Sequence, residues 1–403
     1  MSSLNDTPRS GRLHIVLVGR RNAGKSSLIN TLTGHRTAIV SDVAGTTTDP
    51  VYKSMEIHGL GPCVLVDTAG IDDEGDLGGL RLEKTAEAVD KADILILVVT
   101  ADGMADDFAV ERQWLKARHG RATPRLIALT KTDLLDKAAL DRAIRQIRAA
   151  LGEPVPVSSR TGTGRPELVE ALLRLLPADA GEHSITGHLA DAGDVVLLIM
   201  PQDIQAPKGR LILPQVQTLR ELLDKKCLIM SAATDGMDAA LAALSGPPHL
   251  IITDSQAFAA VYAKKPPESR LTSFSVLMAG YKGDLTAFMA GARALDSLGP
   301  DSRVLVAEAC THAPLTEDIG REKIPALLRK KYGESLRVDV VSGTDFPADL
   351  SPWQLIIHCG GCMFNRAYML SRVRRAREQG VPITNYGVAL AALNGILDKI
   401  DLP

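Results

Sequence analysis

Short apolar runs separated by polar stretches mark the chain between residues 1 and 177. The runs His14–Val18, Val64–Val66, Ile94–Val99 and Leu126–Leu129 lack the regular polar alternation of half-exposed strands. Such runs indicate strands of a parallel sheet that is buried on both faces. The stretch Pro166–Leu176, with proline in its first turn, predicts a closing helix. The pattern therefore predicts an α/β domain with a parallel or mixed sheet and helices on both faces.

The alternation recurs on a smaller scale after the polar linker Pro177–Glu182. Residues 184–265 contain no constellation of catalytic side chains, and Cys227 lies in an apolar run typical of a core residue. We therefore interpret this segment as an assembly module. Its predicted strands and helices are, in order, Val195–Met200, Val216–Leu223, Cys227–Met230, Met237–Leu244 and Leu250–Thr253.

A third segment follows the break at Lys264–Glu268. Gly333 and Gly380 come directly after basic stretches, as residues that end helices often do. We expect a large α/β domain at residues 1–177 and two smaller α/β domains at 184–265 and 270–403. The strands and helices predicted for the last domain are Val304–Ala307, Ile324–Lys331, Leu336–Val341, Leu355–His358 and Ala367–Gln379.

Composition limits the classes of function. The 403 residues carry a formal net charge of −2, so no global basic field attracts the chain to nucleic acid or a membrane surface. No apolar run reaches the length of a membrane span, and the polar stretch Met1–Asp6 lacks a signal-peptide core. Five cysteines in a chain of this length do not form a disulfide framework. We expect a cytosolic protein.

A glycine-rich loop, Gly19–Ser26, lies between the first predicted strand and a predicted helix, the context that a phosphate loop requires. Its backbone N–H groups would bind phosphates, Lys25 would reach the β- and γ-phosphates, and Ser26 would bind Mg²⁺. Asp67 follows the next apolar run and would lie near the Mg²⁺, with Gly70 close to the γ-phosphate. The predicted nucleotide-binding residues of this loop and helix are Gly19, Asn22, Ala23, Gly24, Lys25, Ser26 and Ser27.

A second group of residues predicts the choice of base. Thr130-Lys131-Thr132-Asp133 follows an apolar strand, and the Asp133 carboxylate can accept both N–H groups of guanine. Adenine offers no such pair, so the motif predicts GTP as the nucleotide. The later stretch Ser158-Ser159-Arg160 would close over the base.

Cysteines and histidines gather behind two predicted strands of the third segment. Cys310 and His312 follow Val304–Ala307, and the run His358-Cys359-Gly360-Gly361-Cys362 follows Leu355–Ile357. Open α/β sheets bind ligands at the carboxyl ends of their strands. If these strands are neighbours, the thiolates meet in one crevice.

The chemistry of this cluster has more than one interpretation. Three thiolates leave one iron of a four-iron cluster without a cysteine, whereas three cysteines and a histidine also suit a closed zinc site. The spacing leaves iron–sulfur and zinc both open. A redox dithiol of Cys359 and Cys362 is a third interpretation, but it leaves Cys310 and His312 unexplained.

The nucleotide motifs together resemble those of translation-factor-type GTPases, and of the Era and TrmE-like GTPases in particular. The resemblance implies that Gly45–Asp49 is the first switch segment. Ile71 stands where signalling GTPases carry glutamine, which implies slow intrinsic hydrolysis. Asn22 stands where potassium-activated relatives coordinate K⁺, although asparagine also suits a tight turn. The resemblance also implies that Thr47 completes the Mg²⁺ shell, so the residues expected to serve hydrolysis are Lys25, Thr47, Asp67 and Gly70.

Two positions depart from these motifs. Thr130 stands where those GTPases usually have asparagine, which affects loop rigidity and affinity while Asp133 keeps the preference for guanine. The catalytic glutamate of the tRNA-modifying relatives has no clean match, because Asp73, Glu74 and Asp76 are only neighbours in the same glycine-rich loop. The general base is therefore unassigned.

The order Cys-x-His … His-Cys-x-x-Cys behind such a GTPase domain resembles the FeFe-hydrogenase maturation GTPases, the HydF family, over nearly the whole chain. The stretches Gln205–Pro214 and Asn385–Val388 support the resemblance. It implies a 4Fe-4S cluster with a variable fourth ligand. The cluster ligands would be Cys310, Cys359 and Cys362, with His312 and His358 as candidates for the fourth.

The resemblance also implies partners. The family receives a two-iron precursor made by two radical-SAM maturases and delivers it to apo FeFe-hydrogenase, with GTP modulating partner exchange. The middle segment would form a homodimer, with a tetramer as the alternative. The competing interpretation is a tRNA-modification or ribosome-associated GTPase with a structural zinc, against which stands the lack of a basic stripe. A vestigial nucleotide site is disfavoured by the intact Lys25, Ser26 and Asp67.

Overall fold

The chain divides into two units, Met1–Gly181 and Glu182–Pro403, in a computed structural model. The structure describes residues 9–33, 50–57, 59–73, 76–101, 108–117, 123–176, 184–201, 211–309, 319–361 and 363–403. The first unit is built around one mixed sheet and the second around two parallel sheets. The two units are therefore described separately.

A six-stranded sheet forms the centre of the first unit, in the order β2-β3-β1-β4-β5-β6. Strand β2 runs antiparallel to β3, and the other neighbours are parallel. The strands are β1 (Leu13–Val18), β2 (Val51–Ile57), β3 (Gly61–Asp67), β4 (Ile94–Thr100), β5 (Arg125–Thr130) and β6 (Pro154–Pro156). The helices are α1 (Lys25–Thr33), α2 (Asp76–Asp90), α3 (Ala109–Lys116), α4 (Lys137–Ala150) and α5 (Arg165–Arg174).

Both faces of this sheet are covered by apolar cores. Successive residues of a strand point to opposite faces, so Val16 and Val18 enter one core while Ile15 and Leu17 enter the other. The second of these cores includes Leu28 of α1. The expected α/β fold with helices on both faces is therefore confirmed.

Two strands of the first sheet have no counterpart in the sequence prediction. Strand β2 lies at the sheet edge with most of its residues exposed or half-buried, so it lacks an apolar run. Strand β6 has only three residues, two of them prolines. The four strands that the apolar runs predict are β1, β3, β4 and β5, each of which extends the predicted range by at least one residue.

Two four-stranded sheets form the second unit, in the orders β10-β9-β7-β8 and β12-β11-β13-β14, and all their strand pairs are parallel. The strands are β7 (Val195–Ile199), β8 (Leu228–Ala232), β9 (Leu250–Thr253), β10 (Arg270–Ser273), β11 (Arg303–Glu308), β12 (Arg337–Ser342), β13 (Leu355–His358) and β14 (Ile383–Asn385). The helices are α6 (Leu213–Asp224), α7 (Met237–Ala243), α8 (Phe258–Lys264), α9 (Phe274–Lys282), α10 (Leu285–Ala292), α11 (Ile324–Tyr332), α12 (Arg366–Glu378) and α13 (Tyr386–Leu393).

The break at Lys264–Glu268, where the sequence interpretation ends the middle segment, lies between α8 and β10. Strand β10 pairs with β9, so the first sheet of this unit continues to Ser273. One core cluster also includes Leu197 of this sheet and Val304 of the other. The proline-rich break is a mostly exposed loop within the unit. A proline-rich polar stretch in the sequence can therefore mark a loop within a unit as well as a boundary between domains.

Helices α9 and α10 were not predicted, because their sequences are apolar on nearly every side and show no helical period. Helix α9 places six of its nine residues in buried positions. Apolar helices of this kind are typical of the interior of a large unit. No helix in the described ranges is both long and apolar enough to cross a membrane.

Candidate functional site

The phosphate loop connects β1 to α1 in the first unit. Asn22 and Gly24 adopt left-handed conformations, with φ of 56° and 92°. A Cβ at Gly19 would lie 2.3 Å from the carbonyl oxygen of Val98 in β4. The loop therefore passes so close to the sheet that glycine is required at its first position.

Lys25 begins α1 and is buried under this loop. Its Nζ donates hydrogen bonds to the carbonyl oxygens of Gly19, at 2.9 Å, and Arg20, at 2.8 Å. Burial lowers the pKa of Lys25, and the carboxylates of Asp67, Asp72 and Asp73 oppose that shift. The ammonium group therefore lies inside the curve of the loop, where a bound phosphate would meet it.

Ser26 and Asp67 form the predicted metal-binding pair. The Ser26 hydroxyl donates a hydrogen bond to Oδ2 of Asp67 at the end of β3. Oδ1 of Asp67 is buried without a hydrogen-bond partner, and burial raises the pKa of this carboxyl. A buried oxygen without a partner, next to a hydroxyl, is a donor set that fits Mg²⁺. Ser27, the last predicted residue of this group, lies in α1.

The segment after β3 contacts the phosphate loop at several points. The Ile71 N–H donates to the Gly19 carbonyl at 3.2 Å, and the Arg21 N–H donates to Oδ1 of Asp72 at 2.7 Å. A Cβ at Gly70 would lie 2.9 Å from the backbone nitrogen of Arg21. Asp73 forms ion pairs with Arg21 and with the Arg81 side chain. The two segments are therefore packed together.

Lys53 and Asp72 are two residues near this centre that sequence reasoning missed. Lys53 lies on β2, and its buried Nζ has no hydrogen-bond partner. Burial lowers the pKa of Lys53, while the charge of Asp67 raises it. No motif marks either residue in the sequence. Thr47, predicted for the Mg²⁺ shell, lies outside the described residues.

The base-side residues meet the same loop from its other side. The Thr130 hydroxyl lies 2.6 Å from the Ala23 carbonyl and 3.1 Å from the Val99 carbonyl. Thr130 is buried at the end of β5. It therefore ties the base-binding segment to the phosphate loop, as an asparagine side chain could.

Asp133 follows in the same segment, two residues after Lys131, whose φ is 57°. Oδ1 of Asp133 accepts a hydrogen bond from the Ser158 hydroxyl at 2.6 Å, and Oδ2 pairs with the exposed Arg160 at 2.8 Å. The Ser158 hydrogen bond, with a smaller contribution from Arg160, lowers the pKa of Asp133. The Ser159 hydroxyl is buried without a partner. The structure thus brings the predicted base-side residues together around one ionised carboxylate.

The predicted cysteine site lies at the carboxyl ends of the two central strands of the sheet β12-β11-β13-β14 in the second unit. Strands β11 and β13 are neighbours, with Ala307 opposite His358. Cys359 directly follows β13, and its Sγ accepts hydrogen bonds from the N–H of Ala309 at 3.0 Å and of Gly361 at 3.4 Å. Backbone N–H groups that point at a sulfur favour a thiolate, the form that binds iron or zinc. Strands β11 and β13 are therefore neighbours, as a shared crevice for the thiolates requires.

Three of the predicted ligands, Cys310, His312 and Cys362, lie outside the described residues. Within the residues that the structure describes, no group of three or more histidine, cysteine or acidic side chains is arranged to hold a metal.

His358 is fully buried. Its Nδ1 lies 2.8 Å from the Cys359 carbonyl oxygen, and its Nε2 lies 2.8 Å from Nη1 of Arg372. Burial, with the charge of Arg372, lowers the pKa of His358 to about 3, so the ring is neutral.

Family models match three consecutive parts of the chain. Residues 14–131 match a model described as a 50S ribosome-binding GTPase. Residues 185–283 match the hydrogen maturase F dimerization domain, and residues 286–401 match the hydrogen maturase F tetramerization domain. The chain belongs to the hydrogen maturase F family. The two oligomerization models divide the second unit between α9 and α10.

Curated relatives share a smaller part of the chain. The tRNA modification GTPase MnmE of Azoarcus sp. (strain BH72) is 36% identical over 203 residues, which cover 49% of this chain and 41% of that relative. MnmE of Coxiella burnetii (strain RSA 493 / Nine Mile phase I) is 41% identical over 128 residues, 31% of this chain and 27% of the relative. The chain thus matches less than half the length of these relatives.

Solved structures resemble the chain more distantly. A crystal structure of Era with MgGDPNP and a segment of 16S ribosomal RNA is 20% identical, with a TM-score of 0.36, and the match covers 55% of this chain and 92% of that one. Toc33 from Arabidopsis thaliana with Mg²⁺ and GMPPNP is 20% identical, with a TM-score of 0.32, over 41% and 84% of the two chains.

Proposed function

We propose that this chain is a GTPase of FeFe-hydrogenase maturation that holds a 4Fe-4S cluster and carries a two-iron precursor to apo-hydrogenase. The observation that carries the proposal is the combination of a phosphate loop with two hydrogen maturase F domains in one chain. The GTPase motifs alone occur in many proteins with other tasks. The second unit is what narrows the function.

GTP would bind between the phosphate loop and the Thr130–Asp133 segment. Asp133 would accept the guanine N–H groups, and Lys25 would exchange its bonds to loop carbonyls for bonds to the β- and γ-phosphates. Mg²⁺, when bound, would neutralise phosphate charge, held by Ser26, Asp67 and Thr47. The buried, partnerless Oδ1 of Asp67 supports this assignment.

Intrinsic hydrolysis would be slow. The side chain of Ile71 cannot position a water molecule as a glutamine amide does. Asp73 is paired with two arginines, which disfavours it as a general base. Asn22 would coordinate a K⁺ that speeds hydrolysis, and its left-handed φ is also what a tight turn requires.

The cluster would be held by Cys310, Cys359 and Cys362. The N–H groups of Ala309 and Gly361, which point at Cys359 Sγ, support thiolate ligation at that residue. Ala309 immediately precedes Cys310 in the chain. Because three cysteines do not saturate four irons, the cluster would supply one iron for attachment of the two-iron cargo.

The nucleotide state would modulate partner exchange. A ligand shifts a conformational equilibrium only by its differential affinity for the two conformations. A surface that partners contact must therefore differ between the GTP-bound and GDP-bound states. The contacts of Ile71 and Asp72 with the phosphate loop link the segment after β3 to the nucleotide site. The partners would be the two radical-SAM maturases and apo FeFe-hydrogenase, bound by a homodimer or a tetramer.

The test is in two parts. Anaerobic reconstitution with iron and sulfide should give a brown protein with four irons and a paramagnetic signal after reduction, whereas a zinc protein would stay colourless. Affinity for the maturases and for apo-hydrogenase is then measured with GTP, with GDP and without nucleotide. Identical affinities in the three conditions would contradict the switch role, and colourless protein would contradict the carrier role.

A further inference from the structure

Arg372 on α12 is a buried cation. It is 2% exposed, and no acidic side chain of the described residues pairs with it. Its guanidinium carbon lies 4.7 Å from the ring centres of Phe364 and Tyr368 and 4.8 Å from that of Phe346. Burying an arginine costs several kcal/mol unless it is paired, so a site that keeps one without a carboxylate requires an explanation.

The hydrogen bonds of this guanidinium lead to the cysteine site. Nη2 donates to the Gly343 carbonyl and the Tyr368 hydroxyl, and Nη1 donates to Nε2 of His358. A carbonyl can only accept, so Nδ1 of His358 must carry the proton that it donates to Cys359. Nδ1 carries the proton, and the lone pair of Nε2 accepts the hydrogen bond from Arg372, so neither ring nitrogen has a free lone pair for a metal ion.

The same chain of contacts fixes the backbone at Cys359. Its carbonyl accepts from His358, its N–H donates to Ala307 at 2.8 Å, and its sulfur accepts two further N–H groups. Ligands of metal sites are commonly oriented by such outer partners. Arg372 thus orients His358, which in turn contacts the backbone of Cys359, and the positive charge of the buried guanidinium interacts with the Cys359 sulfur.

We propose that Arg372 is a positioning residue for the cluster: it locks the imidazole of His358 onto the Cys359 backbone, keeps that imidazole off the iron, and stabilises the reduced cluster by its charge. The inference rests on the proposed function only for the presence of the cluster. It removes His358 from the candidates for the fourth ligand. The position on the fourth iron is then left to another group or to the cargo.

The first measurement asks whether His358 binds iron. The variant H312N leaves His358 as the one histidine of the motif, and its reduced cluster is examined by pulsed paramagnetic resonance for a directly bound histidine nitrogen. We expect none. A coupling in H312N that disappears in the double variant H312N/H358N would overturn the proposal.

The second measurement removes the guanidinium. In the H312N background, R372M should lower the reduction potential of the cluster, and R372K should restore most of the loss because it keeps the charge. The matched control is R374M, a half-buried arginine on the same helix. If R372M and R374M have the same potential, the proposed role of Arg372 is wrong.

A third measurement needs no cluster. Nitrogen NMR of metal-free, ¹⁵N-histidine-labelled protein should show His358, assigned by the signal that H358N loses, fixed as the Nδ1–H tautomer, and R372M should release it; His14, whose Nδ1 lies 2.9 Å from the Arg12 carbonyl, should be unchanged in R372M. If wild-type protein takes up no iron and sulfide, the carrier function fails, while this spectrum still decides on the contact between Arg372 and His358. Absence of a fixed Nδ1–H tautomer at His358 in the wild type would overturn the proposal.

Discussion

The Thr130 hydroxyl anchors the base-binding segment at a position where the sequence departs from the usual asparagine. Its bond to the Ala23 carbonyl joins the base-binding segment to the phosphate loop. We predict that T130V weakens GDP binding about fivefold, because losing a buried hydrogen bond costs roughly 1 kcal/mol. Titration with a fluorescent GDP analogue measures this. T130S keeps the hydroxyl and should bind nearly as the wild type does; equal affinities for T130V and T130S would contradict the anchor.

Asn22 offers a way to separate a potassium ligand from a turn residue. Its φ of 56° is accessible to asparagine and glycine at little cost. We predict that N22G keeps the loop conformation but loses the stimulation of GTP hydrolysis by K⁺ over Na⁺, because glycine has no side-chain oxygen. N22A should lose the stimulation as well and also be less stable. If N22G is still stimulated by K⁺, Asn22 is only a turn residue.

Cys63 on β3 predicts a specific dependence of stability on pH. The thiol is fully buried, and burial raises its pKa to about 11, whereas an unfolded thiol titrates at about 8.5. The folded state therefore binds the proton more tightly, and stability falls as pH rises from about 8.5 to about 11. Between pH 8 and 10.5, wild-type protein should lose about 2 kcal/mol more unfolding free energy than C63A. Urea unfolding at both values measures this difference, and equal losses would show that Cys63 ionises freely in the fold.

At the scale of elements, the sequence predicts the strands and helices that are buried apolar runs or have a clear period. It misses the elements whose position depends on contacts with other parts of the fold. Strands β1, β4 and β5 are apolar runs with clear ends, so their positions follow from composition alone. Strand β2 is recognisable only through its pairing with β3, because an edge strand keeps polar side chains. Helix α9 lacks a polar face, so its period disappears.

The candidate sites follow the same rule. The phosphate loop and Asp133 could be predicted because fixed chemistry demands fixed spacing. Lys53 and Arg372 could not, because the charge interaction of Lys53 with Asp67 and the hydrogen bond of Arg372 to His358 arise from the fold, and no local pattern records them.

Strand β8 is the more open edge of its sheet and predicts how two copies meet. Leu228 is 62% exposed at this edge, whereas three of the four residues of the opposite edge strand β10 are buried. An exposed apolar edge strand is a site for pairing with another chain, and this sheet lies in the region that matches a dimerization domain.

We predict that L228K shifts the protein toward monomer, because a charged edge resists pairing. Sedimentation over a concentration series measures the dissociation constant of the dimer. L80K is the matched control, since Leu80 is 61% exposed on α2 of the first unit. An unchanged dissociation constant in L228K would exclude this edge as the contact.

At the scale of the whole molecule, the nucleotide site and the proposed cluster site share one arrangement, because each lies at the carboxyl ends of parallel strands. Asp67 ends β3, Lys25 follows the loop after the neighbouring parallel strand β1, and Cys359 directly follows β13 in the second unit. The loops that follow parallel strands meet at the carboxyl-terminal edge of the sheet, and their backbone N–H groups can donate hydrogen bonds to phosphate or to sulfur. The two sites use separate sheets and separate cores, so each should function when the other is destroyed.

This independence can be tested with one variant in each site. K25M keeps the volume of the lysine but removes the charge that contacts phosphate, so we predict loss of GTP hydrolysis with normal iron and sulfide content. C359S should lose iron and sulfide while hydrolysing GTP at the wild-type rate, because its sulfur lies outside the GTPase sheet. Under the proposed function, both variants should fail to activate apo-hydrogenase, because delivery would require a loaded carrier that also exchanges partners. If K25M protein, once loaded, activates hydrogenase at the full rate, the nucleotide has no part in delivery.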